Sequence, residues 1–317
     1  MKFILNNSTD PWFNLALDEY LLENNPSDGP FFYLWRNRPS VIIGLNQNAY
    51  SEVNIGWIRE HGVRLARRVT GGGAVYHDLN NLNYTFIGKG VTPEPFVQAL
   101  RSLGVDASLT GRNDIFVDGR KVSGYARRVS HGNEIVHGTL MFDVDIDALA
   151  NSLNVPGSKV ESKGIASVRS RVANLKDYLP PDTTLETVRS RIHGFLADGD
   201  GEITLTEDMM AAVRKSAEEK FSTWEWIYGH SRQADIIKKQ KLSCGTVEAA
   251  ISLDRGIIQE IHFSGDFLGG LAVSALEDRL KGLRYERDSI LEALASFPVS
   301  DCLDGVSPEG LVGLLTE

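Results

Sequence analysis

Two stretches of this sequence combine residue types and spacings suited to handling an anion. The first is Arg67-Arg68-Val69-Thr70-Gly71-Gly72-Gly73-Ala74-Val75-Tyr76-His77-Asp78. Three consecutive glycines let the backbone approach a ligand closely and adopt positive φ. Such a loop can aim several N–H groups at one anion, and the two preceding arginines can supply compensating charge. The run lacks the Gly-Lys-Ser/Thr ending of a Walker A loop and the G-x-G-x-x-G spacing of a dinucleotide fingerprint. A glycine triplet by itself more often marks a tight turn. Flanked by Arg-Arg and His-Asp, it favours a phosphate or carboxylate site. The second stretch runs from Gly111 to Gly124 and contains Asn113, Asp114 and Lys121-Val122-Ser123-Gly124. On a strand, Lys121 and Val122 face opposite sides, so Lys121 can project into a cleft.

The elements that must position these runs follow from periodicity and punctuation. Asp10 suits an N-cap and Pro11 the first helical position. Trp12, Leu15, Ala16 and Leu22 then give an apolar helical face that ends near Asn24-Asn25-Pro26. Residues 31–35, 41–43, 63–66 and 82–87 read as strands, the third running into the glycine triplet. Residues 95–103 predict a helix closed by Gly104. Ile115-Phe116-Val117 and Val122-Ser123-Gly124 flank Asp118-Gly119, a strong hairpin signal. Another strand follows at 135–142, then helices at 146–153 and 185–196. The class is α+β, with mixed β-sheets and flanking helices rather than a regular βαβ repeat. The polar, basic segment 229–241 reads as a linker. It divides a main domain at 1–235 from a small α+β C-terminal accessory domain at 241–317. In the latter, strands at 245–253 and 257–263 flank Asp254-Arg255-Gly256, with helices near 273–280 and 288–296.

At 317 residues the chain suits two domains better than one. Its 42% apolar content suffices for a core and argues against disorder. The formal net charge of −9 weighs against nucleic-acid binding. Within that acidic background, Arg64, Arg67 and Arg68 cluster, as do Arg120, Lys121, Arg127 and Arg128, which suits a local anion site. Two cysteines, Cys244 and Cys302, make neither a disulfide framework nor a zinc spacing and fit a reducing compartment. The apolar run Met1 to Leu5 is too short for a signal peptide and no stretch is long enough to span a bilayer, so a cytoplasmic protein with no membrane partner is expected.

Taken together, the motifs resemble the lipoate–protein ligase A family. Arg67 to Asp78, Gly111-Arg112-Asn113-Asp114 and Lys121-Val122-Ser123-Gly124 carry the likeness. So do Asp10 to Ala16, Leu34-Trp35-Arg36-Asn37, His137-Gly138-Thr139-Leu140, Lys163-Gly164-Ile165 through Ser170-Arg171-Val172, and Trp224-Glu225-Trp226. They occur in the family's order along nearly the whole chain. One departure is Asn80-Asn81, where the family pattern carries Gly before Asn; Asn is the next-best residue if that position needs φ > 0.

The resemblance implies a biotin/lipoate ligase-like catalytic domain and an accessory domain that moves over it. It implies two reactions at one site: lipoate and ATP give lipoyl-AMP and pyrophosphate, and the lipoyl group then passes to a lysine of an acceptor. Lys121 would be the catalytic residue, touching both the carboxylate and the α-phosphate. Arg68 and the backbone of Gly71, Gly72, Gly73, Ala74, Val75 and Tyr76 would hold ATP. Asn113 and Asp114 would lie near the nucleotide, with Asp114 a ligand for Mg²⁺. His77 and His137, with Lys121 and Arg68, would line the lipoate end, and Trp35 and Tyr76 are candidates for its apolar wall. The family's usual acceptors are apo lipoyl domains of 2-oxoacid dehydrogenase E2 subunits and the glycine cleavage H protein.

Two rivals remain on the same fold. An octanoyl or lipoyl transferase passes its acyl group through a cysteine thioester, yet residues 1–243 contain no cysteine. A non-catalytic lipoyl-domain-binding paralogue is expected to lose Lys121 or the glycine run, and both are present.

Overall fold

The computed structural model describes residues 1–111, 113–154, 170–197, 199, 201–229, 235–269 and 271–316. The helix Pro11–Glu23 begins where its sequence directs. Asp10 Oδ1 accepts from the N–H groups of Trp12 at 3.0 Å and Phe13 at 3.3 Å, satisfying donors that a helix start leaves over. Asn14 and Asp18, four residues apart on this helix, share one face and are fully buried.

The strands are β1 (Lys2–Phe3), β2 (Phe31–Trp35), β3 (Ser40–Ile43), β4 (Arg64–Arg67), β5 (Val75–His77), β6 (Asn81–Gly88), β7 (Ala107–Thr110), β8 (Asp114–Val117), β9 (Arg120–Ser130), β10 (Asn133–Met141), β11 (Ile236–Leu242), β12 (Gly245–Asp254) and β13 (Ile257–Gly265). A seven-stranded sheet has the order β1-β2-β6-β10-β9-β8-β7, and a small sheet the order β4-β3-β5. Both are mixed, because β1 runs parallel to β2 and β4 parallel to β3 while the other pairings are antiparallel.

Strand alternation divides the large sheet's side chains between two cores. Phe32, Leu34, Tyr84 and Val136 pack beneath the helices Glu94–Arg101 and Leu185–Ala197. Phe31, Tyr33, Trp35 and Ile135 face the helix Pro11–Glu23 and the inner side of the small sheet, where Ile42 and Val75 lie. The candidate site sits between the two sheets on this second side.

Two turns match their sequence signals. Asp118 (φ 48°) and Gly119 (φ 74°) close the β8–β9 hairpin, and Arg255 (φ 48°) and Gly256 (φ 78°) that of β12–β13; paired positive φ values are what a tight two-residue hairpin requires. Neither Asn80 nor Asn81 has positive φ, so the position where glycine was expected needs no left-handed backbone.

The basic stretch read as a linker is corrected in part: residues 236–242 form β11, which pairs antiparallel with β12. Its lysines lie on the free edge of the three-stranded sheet β11-β12-β13, where charge discourages further strand pairing. Residues 230–234 lie outside the described residues. This third sheet and the helices Ser274–Leu280, Arg287–Leu294 and Pro308–Thr316 enclose a core of their own. The unit touches the glycine loop and the turn after β3 directly: Gly72 N–H donates to Phe267 O at 3.0 Å, and Gly265 N–H to Asn46 O at 2.9 Å. Among the described residues, no helix is long and apolar enough to cross a membrane.

Candidate active site

A cavity of about 100 Å³ opens between the two sheets. Strands β9, β10 and β6 bring Lys121, Gly124, His137, Thr139 and Asn83 to one wall, and β3 and β5 bring Ile42, Val75 and His77 to the other. Leu15, Trp35, Arg68, Gly73, Ala74 and Asn113 complete most of the lining.

Lys121 sits as its sequence suggests. Val122 is fully buried, and Lys121 turns the other way, half-buried, to pair through Nζ with Asp114 Oδ1 at 2.7 Å. Gly124 gives the ammonium its room, since a Cβ there would stand 3.0 Å from Lys121 Nζ. The backbone of Lys121 is fixed too. Its N–H donates to Arg171 O at 3.0 Å and its carbonyl accepts from Ala173 N–H at 2.9 Å. Part of the Ser170-Arg171-Val172 motif is thereby bound to the backbone of Lys121, while residues 163–169 and Arg112 lie outside the described residues.

The two arginines divide in function. Arg68 lines the cavity and wraps the glycine run, with Nη2 donating to Gly71 O at 2.6 Å and Gly73 O at 2.9 Å and Nη1 to Ile42 O at 3.2 Å. Burial, with Arg67 adding, lowers it to about 10, so it stays charged near neutral pH. Arg67 departs from the sequence expectation. It is fully buried away from the cavity and donates to the carbonyls of Gly44, Leu45, Gln47, Trp226 and Ile227 at 2.6–2.9 Å. It anchors the helix Trp224–Tyr228 and supplies no charge to a ligand.

The histidines also differ. His137 spends both ring nitrogens inside the protein, Nδ1 on Asp18 Oδ2 at 2.6 Å and Nε2 on Thr70 Oγ1 at 2.7 Å. Thr70 Oγ1 in turn accepts from Arg68 Nε at 3.1 Å. His137 therefore positions Arg68 instead of offering a ring nitrogen to a ligand. His77 uses only Nδ1, bonded to Asn37 Nδ2 at 3.0 Å, and its buried Nε2 has no protein partner. Burial, then Arg68 and His137, push His77 down to about 3.

Three expected residues stand elsewhere. Tyr76, between cavity-facing Val75 and His77, points out of the cleft by strand alternation and packs with Val41, Ile43 and Ile58. It is therefore no wall of the cavity. Gly71 and Gly72 face the C-terminal unit: a Cβ on Gly71 would stand 2.6 Å from Phe267 O. Sequence reasoning missed Asp18, Thr70, Asn83 and Asn37. The one available signal was the polar pair Asn14 and Asp18 on an otherwise apolar helix face.

Comparison with known proteins decides the lineage. Residues 10–196 match the model of the lipoyl protein ligase A/B catalytic domain, and residues 231–315 that of the bacterial lipoate protein ligase C-terminus. The chain belongs to the lipoate–protein ligase family. It is 38% identical to lipoate-protein ligase LplJ of Bacillus subtilis, covering 99% of this chain and 100% of that one. It is 39% identical to lipoate–protein ligase 1 of Staphylococcus aureus, covering 100% of both. A solved structure of lipoate-protein ligase A bound with ATP superposes with a TM-score of 0.63 at 30% identity, over 73% of this chain and 99% of that one. The P. falciparum LipL1 structure in complex with lipoate shares the fold over 99% of this chain and 98% of its own, with a TM-score of 0.78 at 24% identity. In this ligase-family chain, then, the cavity brings together Lys121, Arg68, His77, His137, Asn113 and residues 73–75.

Proposed function

We propose that this chain is an AMP-forming, ATP-dependent lipoate–protein ligase. The observation that supports the reading is that Lys121, Arg68 and Gly73 line one cleft between the two sheets. A carboxylate and a phosphoryl group must meet there despite their like charge, and only a site with preorganised positive charge and N–H donors brings them together. In the first step a lipoate carboxylate oxygen attacks the α-phosphorus of ATP, the bond to the β-phosphate oxygen breaks, and pyrophosphate leaves. Lys121 Nζ donates to the oxygens on which charge collects. In the second, the neutral amine of an acceptor lysine attacks the acyl carbon, AMP leaves with the bonding electrons, and the amine's proton is lost to solvent. No enzyme nucleophile is needed. That agrees with the cysteine inventory, since Cys244 and Cys302 are both buried in the C-terminal unit.

Arg68 holds the loop Gly71 to Gly73 in shape, and the backbone of Gly73 to Val75 lies where ATP would be held, beside Asn113. Among the described residues, no cluster of three or more His, Cys, Asp or Glu could cage a metal. Mg²⁺ needs no such cage, because it binds through one or two carboxylates and the substrate's phosphates. Asp114 fits that part, and the ion would neutralise charge on the phosphates. The acceptors we infer are apo lipoyl domains of 2-oxoacid dehydrogenase E2 subunits and the glycine cleavage H protein, in the cytoplasm, where both thiols stay reduced.

Lipoate-dependent ATP–pyrophosphate exchange tests the first step, and labelling of an apo lipoyl domain the second. Lys121→Ala is expected to lower exchange by about 10²–10³-fold. Absence of exchange by the wild type, with and without acceptor, would remove the ligase reading.

A further inference from the structure

Both units of the chain hold the glycine loop. Arg68, which lines the cavity, donates from Nη2 to Gly71 O at 2.6 Å and to Gly73 O at 2.9 Å. Outside the cavity, the C-terminal unit reaches the loop with the segment Asp266-Phe267-Leu268, which follows β13, and Gly72 N–H donates to Phe267 O at 3.0 Å. Two of the three glycines answer to that contact. A Cβ on Gly71 would stand 2.6 Å from Phe267 O, and one on Gly72, where φ is 89°, 3.3 Å from Leu268 Cδ2. Of the triplet, Gly73 alone lines the cavity.

The segment itself is firmly pinned. Thr246 N–H donates to Asp266 Oδ1 at 2.5 Å, Leu268 N–H to Cys244 O at 3.1 Å, and Asp304 N–H to Leu268 O at 3.0 Å. The ring of Phe267 is buried in the core of the C-terminal unit. Just before the segment, Gly265 N–H donates to Asn46 O at 2.9 Å, a second tether between the units.

Three glycines in a row carry the greatest backbone freedom a chain can have. Donors aimed at an anion contribute most when they are fixed before it arrives, and this loop has no side chain with which to fix itself. Arg68 holds two of its carbonyls and Phe267 one of its N–H groups. A shift at Gly72 would carry directly into Gly73, Ala74 and Val75, the stretch that holds ATP in the ligase reading.

We propose that Asp266-Phe267-Leu268 is a positioning segment for the adenylation step: the C-terminal unit holds the glycine loop from outside in the shape that binds ATP, completing a clamp whose inner half is Arg68. The proposal rests on the ligase reading above. It assigns Gly71 and Gly72 to the contact between the units and leaves Gly73 to the nucleotide.

The test is lipoate-dependent ATP–pyrophosphate exchange, with the KM for ATP and the KM for lipoate measured separately. Asp266→Ala frees the segment from Thr246, and Leu268→Ala removes the side chain that covers Gly72. Each should raise the KM for ATP about fivefold, the worth of one hydrogen bond, and leave the KM for lipoate within about twofold at an unchanged melting temperature. Asp266→Asn keeps the acceptor oxygen and should restore the KM for ATP. Both substitutions at Asp266 remove the same charge beside Gly73, so charge does not account for a difference between them. Unchanged KM values, or equal changes in both, in folded variants would reduce the segment to a tether and overturn the proposal. A further arm uses the wild type alone. Coupling is reciprocal, so a segment that favours ATP binding is itself held more firmly once ATP is bound, and hydrogen exchange at the Gly72 amide should slow when ATP is added. Unchanged or faster exchange at that amide overturns the proposal as well. Failure of the ligase reading looks different, because the wild type then shows no pyrophosphate exchange with lipoate.

Discussion

Asp18 Oδ2 lies 2.6 Å from His137 Nδ1 across a sequence separation of 119 residues, and both side chains are buried. The other oxygen of the same carboxylate accepts from Tyr33 Oη and, at 2.9 Å, from Thr85 Oγ1. One helical acid therefore ties together β2, β6 and β10, and through His137 and Thr70 it reaches Arg68.

Removing that carboxylate leaves three buried donors unanswered at about 1–3 kcal/mol each. Asp18→Ala is expected to cost at least about 3 kcal/mol in urea unfolding, and Asp18→Asn, which keeps one acceptor oxygen, roughly half as much. Because the relay ends on the arginine that shapes the glycine loop, Asp18→Asn should also raise the KM for ATP more than the KM for lipoate. Equal changes in both would show that Asp18 acts on stability alone.

Arg67 and Arg68 are adjacent and alike in sequence, yet their substitutions should separate cleanly. Arg67 meets five carbonyls with a planar fork that a lysine ammonium cannot reproduce. Arg67→Lys should destabilise the fold by about 3 kcal/mol and leave the ATP KM of the folded enzyme within about twofold. Arg68→Lys should do the reverse, raising the ATP KM about tenfold with a smaller loss of stability. Matching profiles for the two variants would overturn this division.

What the sequence revealed was mostly local. Asp10-Pro11 marks a helix start because cap and φ preference act within a few residues, and Asp118-Gly119 marks a hairpin for the same reason. The cluster of Lys121, Arg68 and His77 was legible because its residues travel in recognisable runs. Asp18 was not, since on a helical wheel a single acid looks like solvated surface; only its meeting with His137, Tyr33 and Thr85 gives it a role. Nor could Arg67 be told from Arg68, because only the folded chain sends the last residue of β4 into a buried carbonyl cage and the next one over the loop. The lysines of β11 read as linker for a related reason: an edge strand guarded by charge has the composition of a loop.

His77 gives a pH signature. Its ring is pushed down to about 3 in the folded protein, against about 6.5 in an unfolded chain. Between those values the unfolded chain binds a proton that the native state refuses. Stability from this group is thus complete above pH 6.5 and falls as the pH drops toward 3, by about 1.4 kcal/mol per unit. Urea midpoints measured from pH 7 to pH 4.5 should fall more steeply for the wild type than for His77→Gln. Parallel slopes would mean that His77 takes up its proton without unfolding.

Two glycines on neighbouring strands make the last test of the site's construction. A Cβ on Gly138 would stand 2.5 Å from the ring of Tyr84, which is fully buried and stacked on Phe96 with centroids 3.8 Å apart. That ring has nowhere to move, so Gly138→Ala should cost about 1–3 kcal/mol of stability through overpacking. A Cβ on Gly124 crowds the end of Lys121, with Nζ at 3.0 Å and Cε at 3.1 Å, and makes ordinary contact with Asp114 Oδ1 at 3.5 Å. A flexible side chain yields at little energetic cost, so the melting temperature of Gly124→Ala should stay close to that of the wild type. The displaced ammonium no longer sits where charge develops, however, and kcat for the exchange reaction should fall by about tenfold or more. If Gly124→Ala keeps full activity, the position of Lys121 is not what sets the rate.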